Sequence, residues 1–245
     1  MMQNLGLRLD KRGSHDVTLI TSNGVRVELH FDLIERIKYP EIAKILMNIW
    51  ETSSLMDNSN HHYIMSERVF YFYHIAHMAK HFENGGCGIR PFVDLWILHR
   101  KGFDGDELLE KGGLKAFENA CLRLVHVWFC GERHDETTRM LEAYIIEGGV
   151  YGSLRNRVGV QQNKQGGKLR YLMSRIFLPY HILMHQYPAL QKRRHLVPVY
   201  QVIRWLQIVF RGKIKKGLYE LNASRNVSDE QDSVMSDLLL RLGLK

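Results

Sequence analysis

The densest set of side chains able to do chemistry is His74-x-x-His77-x-x-Lys80-His81. On a helix, at about 100° per residue, the three histidines fall within about 60° of arc. Val69, Phe72, Tyr73 and Ala76 form the neighbouring apolar stripe. Histidines four apart can share a zinc ion, but the Glu of an H-E-x-x-H helix is missing and the nearest thiol, Cys87, lies beyond a Gly-rich turn. Two further readings stay open. The histidines are satisfied or solvated in place, or His77, Lys80 and His81 face a phosphate or substrate.

The next candidate is Asp94, the only acid between Pro91 and Arg100 in a stretch that is apolar on nearly every side. A buried carboxylate costs several kcal/mol unless paired or hydrogen-bonded, so Asp94 is expected to have a partner among Lys80, His81 and Arg90. That pair is either a structural tie between two helices or an acid facing a cleft. Glu28 and His30 alternate with apolar residues on one predicted strand, which places both on its polar side; a plain solvated sheet face has the same spacing. Asp104-Gly-Asp106 has the look of paired metal-binding carboxylates, but a helix follows it, and Asp104 with Glu107 three residues on suits a cap. Gly13-Ser14 is followed by no D-x-D strand.

These residues need elements to position them. Val17–Thr21 and Val25–Phe31 flank Asn23-Gly24, a strong hairpin signal, with Val25, Val27, Leu29 and Phe31 expected on the core face. A lone hairpin is marginal in water, so the pair must lean on other structure. Residues 1–9 are expected to be the tail of a preceding helix. Helical patterns run over about 40–51, 66–83, 91–100, 104–111, 114–130 and 135–147, with Ser66 and Asp135 as N-caps. Residues 151–167, rich in Gly, Gln, Asn and Arg, suggest a linker. Helical stretches follow near 168–177, 198–222 and 228–242. The expected class is α+β, mainly α, in three regions: 1–60 with the hairpin of a partial sheet, 61–150 helical, and 151–245 a basic helical region.

Composition narrows the function classes. The chain has 245 residues, 45% of them hydrophobic, enough for a sizeable core. Cys87, Cys121 and Cys130 form no C-x-x-C pair, which excludes a disulfide framework and a zinc ribbon. No apolar run follows the first charges, and none is as long as a membrane span, so the cytoplasm is the expected compartment. The net charge of +8 is uneven. No Asp or Glu occurs between Gly148 and Tyr219, a stretch that holds fourteen of the 34 Lys and Arg residues; elsewhere 20 basic side chains face 26 acidic ones. Leu196 to Phe210 is largely apolar and is followed by Arg211, Lys213, Lys215 and Lys216. That composition suits either a helix packed on the body with a basic rim or an interfacial helix on anionic lipid, which would place the chain peripherally on the inner membrane. No nucleic-acid motif is present.

Several segments in order resemble the bacterial nucleotidyltransferases, polymerase-β-like proteins with a helical C-terminal region. They are VRVELHFDL (25–33), AHMAKHF (76–82), PFVDLW (91–96) and LRYLMSRIFLPYHILMHQYPAL (169–190). The resemblance spans roughly residues 1–210. It implies nucleotidyl transfer from a nucleoside triphosphate to an unknown acceptor, with Mg²⁺ held by three acids and a Gly-Ser turn against the phosphates. Glu28 corresponds to the third acid, a catalytic and metal-binding position. His30, His77, Lys80 and His81 correspond to substrate- or phosphate-binding positions, and Asp94 to a catalytic polar position that could orient Lys80. The Gly-Ser turn and the paired acids belong N-terminal to Met1 in such proteins. The resemblance therefore implies an N-terminally truncated chain, inactive alone or completed by an N-terminal half or partner chain. The rival reading is a non-enzymatic basic module acting at a membrane surface or as an interaction partner.

Overall fold

The computed structural model describes residues 6–13, 15–210 and 228–244. Ser14 and the basic residues 211, 213, 215 and 216, which the sequence reading invoked, lie outside them. The fold is α+β and mainly helical, as the sequence indicates. Three strands, β1 (Arg8–Arg12), β2 (Asp16–Ile20) and β3 (Arg26–His30), form an antiparallel sheet in the order β1-β2-β3. A second, two-stranded sheet joins β4 (Ser54–Leu55) and β5 (Tyr63–Ile64). The α-helices among the described residues are α1 (Pro40–Leu46), α2 (Glu67–Glu83), α3 (Arg90–Arg100), α4 (Asp106–Lys111), α5 (Lys115–Cys130), α6 (Glu136–Gly148), α7 (Leu154–Lys164), α8 (Lys168–Ile176), α9 (Tyr180–Gln186), α10 (Val197–Phe210) and α11 (Asp229–Arg241).

The chain divides into two compact units, Met1–His77 with Ile97–Lys115 and Met78–Trp96 with Ala116–Lys245. In the first, the Asn23-Gly24 turn forms as expected: the Gly24 amide donates to the Thr21 carbonyl at 3.0 Å and Gly24 takes φ +85°. Two expectations for this region fail. Residues 8 and 9 open strand β1 rather than end a helix; Arg8 pairs with Ile20 and Leu9 with Leu19. The charged sequence RLDKR hides a strand because all five of its residues are exposed, so no apolar alternation marks it. The expected core face of the hairpin is also open. Leu19 is buried there, but Val25, Leu29 and Phe31 are exposed. Thr18, on the opposite face, is buried between Lys11 and Glu28 in register.

The second unit carries most of the large buried side chains. Phe82 stacks on Tyr144 with ring centroids 4.2 Å apart and meets Phe117 edge-on at 5.8 Å. On α5 the buried residues Phe117, Ala120, Cys121, Leu124 and Val125 follow the helical repeat. Asp135 caps α6 through a capping box with Thr138, at 2.7 Å from its amide. The segment read as a linker is helix α7, capped by Ser153. Its polar residues are consumed by tertiary bonds: the Asn156 side chain donates to the Tyr144 carbonyl at 3.0 Å, and Lys164 pairs with Glu83 at 2.5 Å. Gly85 lets the backbone pass close to this cap. It takes φ +114°, accepts from the Ser153 amide at 3.0 Å, and a Cβ there would sit 2.4 Å from the Ser153 carbonyl oxygen. Helix α11 packs on α7 and α6, where Asn163 donates to Asp232 at 2.9 Å and Arg241 to Glu136 at 2.7 Å.

Candidate functional site

Strand β3 sets the direction of Glu28 and His30. Successive residues alternate faces, and the register puts Glu28 opposite Thr18 and His30 opposite Asp16. Both side chains are exposed, and His30 Nε2 lies 4.0 Å from Glu28 Oε2. His15 extends the group: its ring sits 5.4 Å from that of His30, and its Nδ1 lies 3.9 Å from Asp16 and 3.8 Å from Glu35. Sequence spacing gave no sign of His15 and Glu35. They join through the turn before β2 and the segment after β3, and strand pairing brings those together.

Beyond His30 the chain turns into a cavity of about 290 Å³ in the same unit. Its lining includes the polar residues His30, Asp32 and Arg36 and the apolar residues Phe31, Leu46 and Trp50. The Arg36 guanidinium grips Asp32 through Nε at 2.8 Å and through Nη2, and that contact holds the Arg36 pKa above its ordinary value. Trp50 is 69% exposed, and Tyr63 meets it edge-on with centroids 5.5 Å apart. This is the lower end of the size range of small-molecule sites, with an aromatic wall and a few convergent polar groups. Sequence reading did not single out Arg36 or Trp50. A Trp four residues after the last residue of the short helix α1 was the signal available.

Helix α2 carries the second set. His74, His77 and Lys80 are half-buried and His81 is exposed. The Tyr73 and His77 rings lie 5.6 Å apart, and none of His74, His77, Lys80 and His81 is without an interaction. Among the described residues, no group of three or more His, Cys, Asp or Glu is placed to hold a metal ion, so the zinc reading gains nothing from the folded helix. The premise about Asp94 is overturned. Helix α3 buries Phe92 and Leu95 and leaves Asp94 exposed, so no burial cost demands an ion pair there. The apolar neighbours surround it in sequence, not in space.

Asp104 and Asp106 are used locally. The Asp106 amide donates to Asp104 at 2.8 Å, and Lys115 grips the Asp106 carboxylate and holds its pKa down. Asp104 thus accepts an amide at the start of α4, as a capping residue would, while Glu107 pairs with Arg68 and, at 2.6 Å, with Lys111. Those two cations depress its pKa to about 2. Burial pushes the Cys87 thiol up to about 12 and holds that of Cys121 well above its ordinary value, so neither is a nucleophile at neutral pH.

A family model described as an uncharacterised nucleotidyltransferase matches residues 1–130, just over half of the chain. The chain belongs to that nucleotidyltransferase family. The match covers the β1–β3 sheet, the cavity beside it and helices α1 to α5. No curated protein and no solved structure matches the chain.

Proposed function

We propose that the chain binds a nucleoside triphosphate for nucleotidyl transfer to an acceptor, with Glu28 as a metal-side carboxylate and the cavity beyond β3 taking the base. One observation supports this above others. Glu28 and His30 stand exposed on the strand that runs to the cavity, in a chain of a nucleotidyltransferase family. Trp50, braced by Tyr63, offers a surface on which any base can stack. The Asp32–Arg36 pair presents an acceptor and donors to a base edge. His77, Lys80 and His81 are proposed to meet phosphate or acceptor, with Asp94 as a further polar contact; their assignment rests on likeness to the family.

Nucleotidyltransferases generally use a divalent metal. Glu28 supplies one hard, exposed oxygen for it. Mg²⁺ needs several such ligands and phosphates to converge, and the described residues gather no set of three. They do not complete a magnesium site. The remaining oxygens must come from the triphosphate and from another segment or chain, and the isolated chain is expected to bind nucleotide without turning it over.

Calorimetric titration of the full chain with each of the common nucleoside triphosphates tests this reading. At least one is expected to bind, and Trp50→Ala is expected to weaken it about tenfold, the order of one lost base–aromatic stack. Failure of every nucleotide to bind contradicts the reading. Transfer by the isolated chain that Glu28→Gln abolishes contradicts the incomplete metal site.

A further inference from the structure

We propose that the outward face of α10 docks on an anionic lipid surface. The helix is turned inside out relative to an ordinary packed helix, which puts its apolar stripe on the core and its polar side in water. Val199, Val202, Leu206, Val209 and Phe210 are all exposed, Leu206 by 50% and Phe210 by 83%. At about 100° per residue these five fall within about 100° of arc, a continuous stripe. The polar side chains of the same helix point the other way and are spent on the protein. Gln201 donates to the Leu178 carbonyl at 2.6 Å, Trp205 Nε1 to the Ile176 carbonyl at 2.8 Å, and Arg204 to the Arg175 carbonyl at 3.3 Å and to the Ile176 carbonyl. Tyr187 donates to Gln207 at 2.9 Å.

Charge selects the occupant. The stretch from Gly148 to Tyr219 contains no Asp or Glu, and Arg170, Lys192, Arg193 and Arg194 are exposed in it. The sequence continues the positive charge directly after α10 with Arg211, Lys213, Lys215 and Lys216. An exposed apolar stripe in an acid-free, basic region fits a surface that is apolar below and negative at its boundary, which is a bilayer with anionic headgroups. No described helix is long and apolar enough to cross a membrane, so the fit is to the interface. A second copy of this chain carries the same positive charge in the same region and would repel it. This inference is independent of the nucleotide reading.

Co-sedimentation of the full chain with vesicles tests it. The chain is expected to sediment with phosphatidylcholine vesicles containing phosphatidylglycerol, to release them at high salt, and to bind pure phosphatidylcholine far less. Leu206→Asp with Val209→Asp is expected to lower binding at least about tenfold without changing the melting temperature. Leu206→Ser provides the same readout should the double variant fail to fold. Absence of binding by the native chain overturns the proposal, as does native-level binding by the variants. Light scattering that shows a dimer broken by these substitutions overturns it in favour of self-association.

Discussion

Helices α5 and α10 have the same kind of sequence, long and apolar with a few polar interruptions, and they use it in opposite ways. Helix α5 buries Phe117, Ala120, Cys121, Leu124 and Val125. Helix α10 exposes Val199, Val202, Leu206, Val209 and Phe210 and turns Gln201, Arg204 and Trp205 inward. The difference follows from what each helix meets. Helix α8 ends at Ile176, where the last carbonyls have no helical partner and need donors. The Ile176 and Leu178 carbonyls are met from α10, so its donors face in and its apolar stripe is left outside. Periodicity reveals that a helix has two faces; the groups waiting on the neighbouring element decide which of them is buried.

Three substitutions break or sharpen that comparison. Phe117→Ala removes a fully buried ring, so urea unfolding is expected to show a loss of about 3–5 kcal/mol. Leu206→Ala is expected to stay within about 0.5 kcal/mol, as an exposed side chain should. Equal losses would mean that α10 is packed like α5. Gln201→Ala, which leaves the Leu178 carbonyl without its donor, is expected to cost about 1–3 kcal/mol, more than any residue of the outward stripe. A negligible change there would remove the reason given for the inverted helix.

The smallest effect lies in the first unit. Lys111 and Arg68 lower the Glu107 pKa from 4.5 to about 2, so the folded state favours the carboxylate. A depressed pKa stabilises above the unfolded value and loses that contribution as pH falls. The stability difference between the native chain and Glu107→Gln is therefore expected to hold above pH 4.5 and to vanish as pH falls toward 2. Because Glu107 is exposed, the difference is expected to shrink with salt. A difference that grows on acidification would contradict the assigned partners.

Much of this architecture was legible in the sequence. The Asn23-Gly24 turn, the Asp135 cap and the apolar repeats of α2 and α5 carry local signals strong enough to survive folding. Helix α7 was illegible because Asn156, Gln161 and Lys164 look like loop residues until Tyr144 and Glu83 are placed beside them. Strand β1 was illegible because pairing with β2, not burial, makes it a strand. For the site, Glu28 and His30 were readable from alternation along one strand. The exposure of Asp94 is not legible, because its apolar neighbours in sequence, Phe92 and Leu95, turn to the core while Asp94 faces solvent. The cavity was unreadable, since Arg36 and Trp50 reach it from separate elements.

The most direct test of the central claim is amide hydrogen exchange of the full chain with and without a bound nucleoside triphosphate and Mg²⁺. Slower exchange is expected at residues 28–36 and 46–50, the end of β3 and the walls of the cavity. Protection confined to other segments, or none at all under conditions where nucleotide binds, would place the nucleotide elsewhere and contradict the site described.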